Sequence, residues 1–107
     1  MGTTKTEAYT DRQHRLSALF KALGHPARIA ILEQLLREEC CICRDFSDEI
    51  ALSQPTISRH LKELKAADII SGSVEGTRVS YCINPARWAE VRAVLNGLFD
   101  RLGGGCC

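Results

Sequence analysis

Residues 52–64 read "LSQPTISRHLKEL". Ser53 is a residue type that caps helix N-termini, and Pro55 is tolerated in a first turn, where its missing N–H has no intrahelical partner to lose. Ile57, Leu61 and Leu64 then recur at three- and four-residue steps, the spacing of one buried stripe on a helix. At about 100° per residue Arg59 falls nearly opposite that stripe, Lys62 and Glu63 flank it, and Thr56 and Ser58 sit at its margins. The outward face is short, polar and partly cationic. Its long side chains suit a duplex: Arg59 can reach a guanine edge bidentately, and Gln54, Thr56 and Ser58 can hydrogen-bond to bases or phosphates. Lys62 and Arg78 suit the backbone. The competing reading is a plain solvated helix face.

The flanking sequence supplies the rest of a fold. Upstream, "RDFSDEIALS" predicts a short helix with Phe46 and Ile50 at i, i+4, joined to the next helix by the tight "ALSQP" turn. Before it, Pro26 fits a first turn, and Ile29, Ile31, Leu32, Leu35 and Leu36 form a wide apolar face on a helix that should stop near Glu39. Leu16, Leu19, Phe20 and Leu23 predict a first helix ended by Gly24. Residues 1–11, "MGTTKTEAYTD", are polar and aperiodic and read as a loose arm. Downstream the period changes to two from Ile69 to Ile83: Val79, Tyr81 and Ile83 share one face, Ser80 and Cys82 the other, and Gly76 marks a hairpin turn. Trp88, Val91, Val94, Leu95, Leu98, Phe99 and Leu102 line a last helix begun near Pro85, and "GGG" ends it, leaving a Gly-Cys tail at 103–107. The order helix, helix, short helix, helix, hairpin, helix gives a mainly α fold with a β-hairpin, a winged helix-turn-helix in a single domain over 1–107.

Composition limits the function classes. A chain of 107 residues with 45% hydrophobic and 25% charged residues reads as globular, and is short enough that burial against a second copy is expected, hence a homodimer. Its apolar runs fall far short of the roughly 20 residues of a membrane span, and no apolar block follows a basic start, so a cytoplasmic protein without a membrane partner is expected. Net charge is only +1, so a case for DNA rests on local geometry rather than overall charge.

Three of the six cysteines fall within "EECCICRDF", residues 38–46. Cytosolic thiols are held reduced, so such a cluster points to metal binding or redox sensing more than to structural disulfides. Cysteine also packs well as a small hydrophobe, but three in four positions between charged residues are hard to explain by packing. A helix starting there would favour thiolate through its dipole, with Arg44 helping and Glu38, Glu39 and Asp45 opposing.

The segments "LGHPARIAILEQL", "LSQPTISRHLKEL" and "GTRVSYCI" resemble the ArsR/SmtB metal-sensing repressors over nearly the whole chain apart from the arm and tail. The resemblance implies a dimer built from the first and last helices, bound to an inverted-repeat operator and released when an ion binds. Cys41 and Cys43 match the C-x-C pair of the arsenic- and antimony-responsive branch, which implies As(III) or Sb(III) as inducer and no organic cofactor. That branch carries a third cysteine one turn further on, where this chain has Phe46; Cys40 is the local candidate to complete the set. Cys82, Cys106 and Cys107 are secondary candidates, because a short glycine tether could bring the tail pair to a nearby site. Two thiols would suffice for an organoarsenical, so a sensor built on Cys82 and the tail cysteines is the alternative. Oxidant or persulfide sensing by the thiols is another. Zinc at the last helix is not expected, since Glu90 and Asp100 stand there without a histidine.

No histidine or carboxylate is placed to activate a thiol nucleophile, so an enzyme is not expected. His60 lies beside the buried stripe as a packing or phosphate-contacting residue, His25 belongs to the turn between helices, and His14 reads as solvated.

Overall fold

The computed structural model describes residues 8–38, 41–42, 46 and 50–103. Helix α1 spans Asp11–Leu23 and α2 Pro26–Arg37; strand β1 is Cys41–Ile42; α3 spans Gln54–Ala66; β2 is Ile70–Glu75, β3 Arg78–Ile83, and α4 Pro85–Phe99. Among the described residues no helix is long and apolar enough to cross a membrane.

α1, α2 and α4 each begin where the sequence supplies a side-chain acceptor. The Thr10 hydroxyl accepts from the Gln13 N–H at 3.1 Å, and the Gln13 side chain accepts from the Thr10 N–H at 2.9 Å, a reciprocal cap that draws Thr10 and Asp11 out of the expected arm and into α1. Between α1 and α2, a Cβ on Gly24 would stand 2.8 Å from the Phe20 carbonyl oxygen, so a close approach of backbone demands glycine there although its φ is ordinary. His25 caps α2, its Nδ1 accepting from the Ala27 N–H at 3.0 Å, and Pro26 follows. Asn84 and Pro85 open α4 in the same way.

The core is built from α2, α3 and the sheet. Ile31 and Leu35 of α2, Ile57, Leu61 and Leu64 of α3, and Ile69, Ile70 and Ile83 form one buried cluster with Ile42 and Phe46. The stripe expected on α3 is the buried one. On α2, Ile31, Leu32 and Leu35 are buried but Ile29 and Leu36 are exposed. Gln34, which no apolar spacing singles out, is buried instead, and its amide oxygen and nitrogen have no hydrogen-bond partner among the described residues. Nothing in the structure explains that choice.

α3 ends in a Schellman turn: Asp68 takes φ 61°, Ile69 N–H donates to Leu64 O at 3.1 Å and Asp68 N–H to Lys65 O at 2.9 Å, which hands the chain to β2. β2 and β3 pair antiparallel from Ile70↔Ile83 to Glu75↔Arg78, leaving Gly76 and Thr77 as a two-residue turn. Gly76 has φ 65°, the left-handed value such a turn needs at its first central residue.

The sheet has one strand more than the sequence pattern predicts. Its order is β1-β3-β2, with Cys41 opposite Cys82 and Ile42 opposite Tyr81. Cys41 therefore lies in an edge strand rather than at the start of a helix, and helix-dipole stabilisation of its thiolate does not apply to it. Phe46 is buried edge-on to the Tyr81 ring at 6.1 Å, and Ile50 N–H donates to Phe46 O at 3.1 Å, the i, i+4 relation expected of the short helix.

Candidate nucleic-acid interface and its thiol bridge

α3 presents Gln54, Ser58, Arg59 and Lys62 to solvent, while Thr56 is half-buried. The Ser53 hydroxyl does not accept from the helix's first-turn N–H groups as expected of a cap; it shares a hydrogen bond with the Thr56 hydroxyl at 3.0 Å. Arg78 opens β3 across the wing turn from Glu75, so its backbone is placed at the wing tip, and its side chain lies outside the described residues. Val74 on the same hairpin is 72% exposed, an apolar group on the outside of the wing.

The angle of α3 is held by a contact that periodicity does not show. Arg28, in the first turn of α2, donates from Nε to His60 Nδ1 at 3.1 Å and from Nη1 to the carbonyls of Lys21 and Ala22, both at 3.1 Å. One guanidinium thus links the end of α1, the start of α2 and the middle of α3. The His60 ring is buried and lies 4.3 Å from the His25 ring, tilted by 40°. Burial, then the neighbouring His25, Arg28 and Arg59, push the His60 pKa below its ordinary value, against a smaller opposing pull from Glu63. A neutral ring leaves Nδ1 free to accept from Arg28. His60 is a packing histidine with a specific partner, and the sequence signal for it is its place one residue before Leu61 on the stripe.

Of the six cysteines, Cys41 and Cys82 are described, and they are joined as a disulfide with their Cα atoms 4.1 Å apart. The expectation of free thiols rather than a disulfide is corrected at this pair. The cause is register: β1 brings position 41 directly across from position 82, a relation between residues 41 apart that no local spacing reveals. Cys40, Cys43, Cys106 and Cys107 lie outside the described residues, as do Glu39, Arg44 and Asp45. Among the described residues no three His, Cys, Asp or Glu side chains are grouped to hold a metal ion. Glu90 is turned to Arg87, 3.6 Å away. When reduced, Cys41 and Cys82 offer two sulfur donors facing each other across the sheet, a set suited to a soft, thiophilic centre.

Residues 25–71, from the cap of α2 through α3 to the start of β2, match the model of the bacterial regulatory protein arsR family. The HTH-type transcriptional regulator MJ1325 of Methanocaldococcus jannaschii is 36% identical over 82% of this chain and 99% of its own length. The chain belongs to the arsR family. The arsenic resistance transcriptional regulator ArsR1 of Pseudomonas putida is 36% identical over 77% of this chain and 64% of that protein. Among solved structures, the homodimeric winged helix-turn-helix DNA-binding domain of Mb0332 from Mycobacterium bovis superposes with a TM-score of 0.61 at 21% identity, covering 92% of this chain and 95% of that one. The fold of this arsR-family chain is the winged helix-turn-helix, and its family is one of DNA-binding transcriptional repressors, not enzymes. α3 is its recognition helix and the β2–β3 hairpin its wing.

Proposed function

We propose that this arsR-family protein is a homodimeric cytoplasmic repressor of an inverted-repeat operator, released by trivalent arsenic or antimony through its cysteines. The observation that carries the reading is the position of Cys41. It sits on β1, the strand that runs from α2 toward the helix-turn-helix and pairs with the wing strand β3. A change in what Cys41 bonds to is therefore felt at the wing strand, and its neighbour Ile42 shares the buried cluster with Ile57, Leu61 and Leu64 of α3. The arsenic resistance name of the P. putida relative supports the same inducer class.

Operator contact falls to Arg59 on base edges, with Gln54, Thr56 and Ser58 beside it and Lys62 and Arg78 on phosphates. The second subunit covers the apolar residues that α1 and α4 leave exposed, Phe20, Val94 and Phe99 among them. Cys40, Cys41 and Cys43 would hold the inducer, with Cys82, Cys106 and Cys107 as further donors. Bound trivalent arsenic or antimony would supply a soft centre that prefers thiolates over harder ligands. Within the protein, recruiting Cys41 to such a set alters its pairing with β3, and the grip of β1 on the wing weakens.

A gel shift on an inverted-repeat duplex selected with the reduced protein tests this. Arsenite is expected to raise the operator Kd on the order of tenfold or more, and DNA must weaken arsenite binding by the same factor. Replacing Cys41 and Cys43 together by serine should preserve DNA binding and remove the release. Undiminished binding of the reduced wild type at saturating arsenite overturns the reading.

A further inference from the structure

We infer that the Cys41–Cys82 pair is a reversible oxidation site that decides whether the repressor can answer its inducer. The inference rests on the arsenic reading above and adds a second input to it.

Three observations converge on the pair. The two residues are directly opposed in the β1–β3 ladder and are joined through their sulfurs, so the folded sheet accommodates the bridge. Cys41 is exposed and Cys82 half-buried, so an oxidant in solution meets Cys41 first and the resolving thiol waits across the strand. The chain between them, 41 residues on from Cys41 to Cys82, contains α3 and the whole wing turn, so the bridge closes a loop around the DNA-contacting elements without using any side chain of the α3 outer face.

The chemistry needs a hydroperoxide and a dithiol reductant. The Cys41 thiolate attacks the O–O bond: the sulfur takes one oxygen to become a sulfenic acid, and the other oxygen leaves as an alcohol, or as water from hydrogen peroxide, after taking a proton. The Cys82 thiol then attacks the sulfenic sulfur, the S–S bond forms, and the hydroxyl departs as water with the thiol's proton. Two electrons pass from the two sulfurs to the peroxide. A dithiol returns them by exchange, forming its own disulfide, and exposure of a bridge favours that attack.

The consequence follows from exclusivity. A sulfur in a disulfide is not a thiolate donor, and Cys41 is the cysteine common to the bridge and to the inducer-binding set. Closing the bridge removes it from that set while leaving Arg59, Lys62 and their neighbours facing solvent. The oxidised repressor holds its operator and does not hear arsenite; the reduced one holds it and does.

The test uses the full chain as its dimer and fluorescence anisotropy on a duplex selected by the reduced protein. Protein is either kept reduced or treated with stoichiometric hydrogen peroxide, and peptide mapping after alkylation locates the linked cysteines. Sodium arsenite should raise the Kd of the reduced protein on the order of tenfold, change that of the oxidised protein less than about twofold, and act again once a dithiol reductant has been added and removed. In Cys82→Ser, where a further donor is lost as well, peptide mapping after peroxide should find Cys41 in no intramolecular disulfide. Release of the oxidised wild type to the same extent as the reduced, absence of a Cys41–Cys82 linked peptide, or an intramolecular Cys41 disulfide in peroxide-treated Cys82→Ser overturns the inference and leaves the arsenic reading standing. Failure of arsenite to release the reduced wild type overturns both.

Discussion

α3 and α4 are helices of 13 and 15 residues that dispose of their apolar side chains in opposite ways. α3 buries Ile57, His60, Leu61 and Leu64 inside its own subunit and keeps a polar face outside. α4 buries only Val91, and Val94 and Phe99 are 41% and 59% exposed. α1 resembles α4, with Leu19 buried and Phe20 exposed. A helix whose apolar stripe is satisfied within the protomer can spare its other face for a polar ligand. A helix with unsatisfied apolar residues on several sides is stabilised by a further protein surface, because each such side chain gains roughly 1.5–3 kcal/mol on full burial.

The contrast breaks most visibly at α4. Replacing Val94 and Phe99 together by glutamate places charge where a second subunit is expected. Sedimentation should then show a monomer, and operator affinity should fall on the order of 100-fold or more, since two linked half-site contacts become one. A variant that remains dimeric, or binds the operator as well as wild type, would assign the dimer contact elsewhere. On α3 the same logic puts the sensitive positions inside. Leu64→Ala removes a fully buried side chain from the central cluster and should lower unfolding free energy in urea by about 2–5 kcal/mol, without changing the oligomeric state at protein concentrations where the variant is folded.

These two helices also mark what could be read from the chain before its structure. Helix starts at Pro26 and Pro85, the α3 stripe, and the Gly76 turn are local signals: each depends on residues within one or two turns, and the structure has each where spacing puts it. β1 depends on something else. Two residues carry no period, and Cys41–Ile42 is a strand only because β3, some 40 residues on, lies beside it. The disulfide inherits that invisibility. The Arg28 clamp does too, since its partners are a carbonyl pair on α1 and a ring on α3 that only packing brings together. The exposure of Gln54, Ser58, Arg59 and Lys62 was legible because it depends only on the outward face of one helix.

A smaller effect separates roles within the outward face of α3. Arg59→Ala should weaken operator binding by about 1–3 kcal/mol and relax base preference at one position of each half-site, as expected of a residue reading a base edge. Lys62→Ala should weaken all duplexes nearly alike and reduce the slope of log K against log salt by about 1. Equal loss of affinity for selected and scrambled duplexes in Arg59→Ala would move that residue to the phosphate backbone.

The smallest expected effect lies on the inner face of the same helix, where His60 is the one ionisable group in the stripe. Its pKa is lowered by burial first and by His25, Arg28 and Arg59 next, with Glu63 on the exposed side pulling the other way. The sign follows from which form the fold accepts. The neutral ring takes the Arg28 hydrogen bond and the charged ring cannot, so this contribution to stability is complete above the unfolded histidine value of about 6.5 and is lost as pH falls through the lower folded value. His60→Gln keeps an acceptor for Arg28 but does not titrate. Urea midpoints followed from about pH 8 to about pH 5 should therefore drop more steeply on acidification in the wild type than in His60→Gln. Parallel curves would mean that the Arg28 clamp does not depend on the charge of His60.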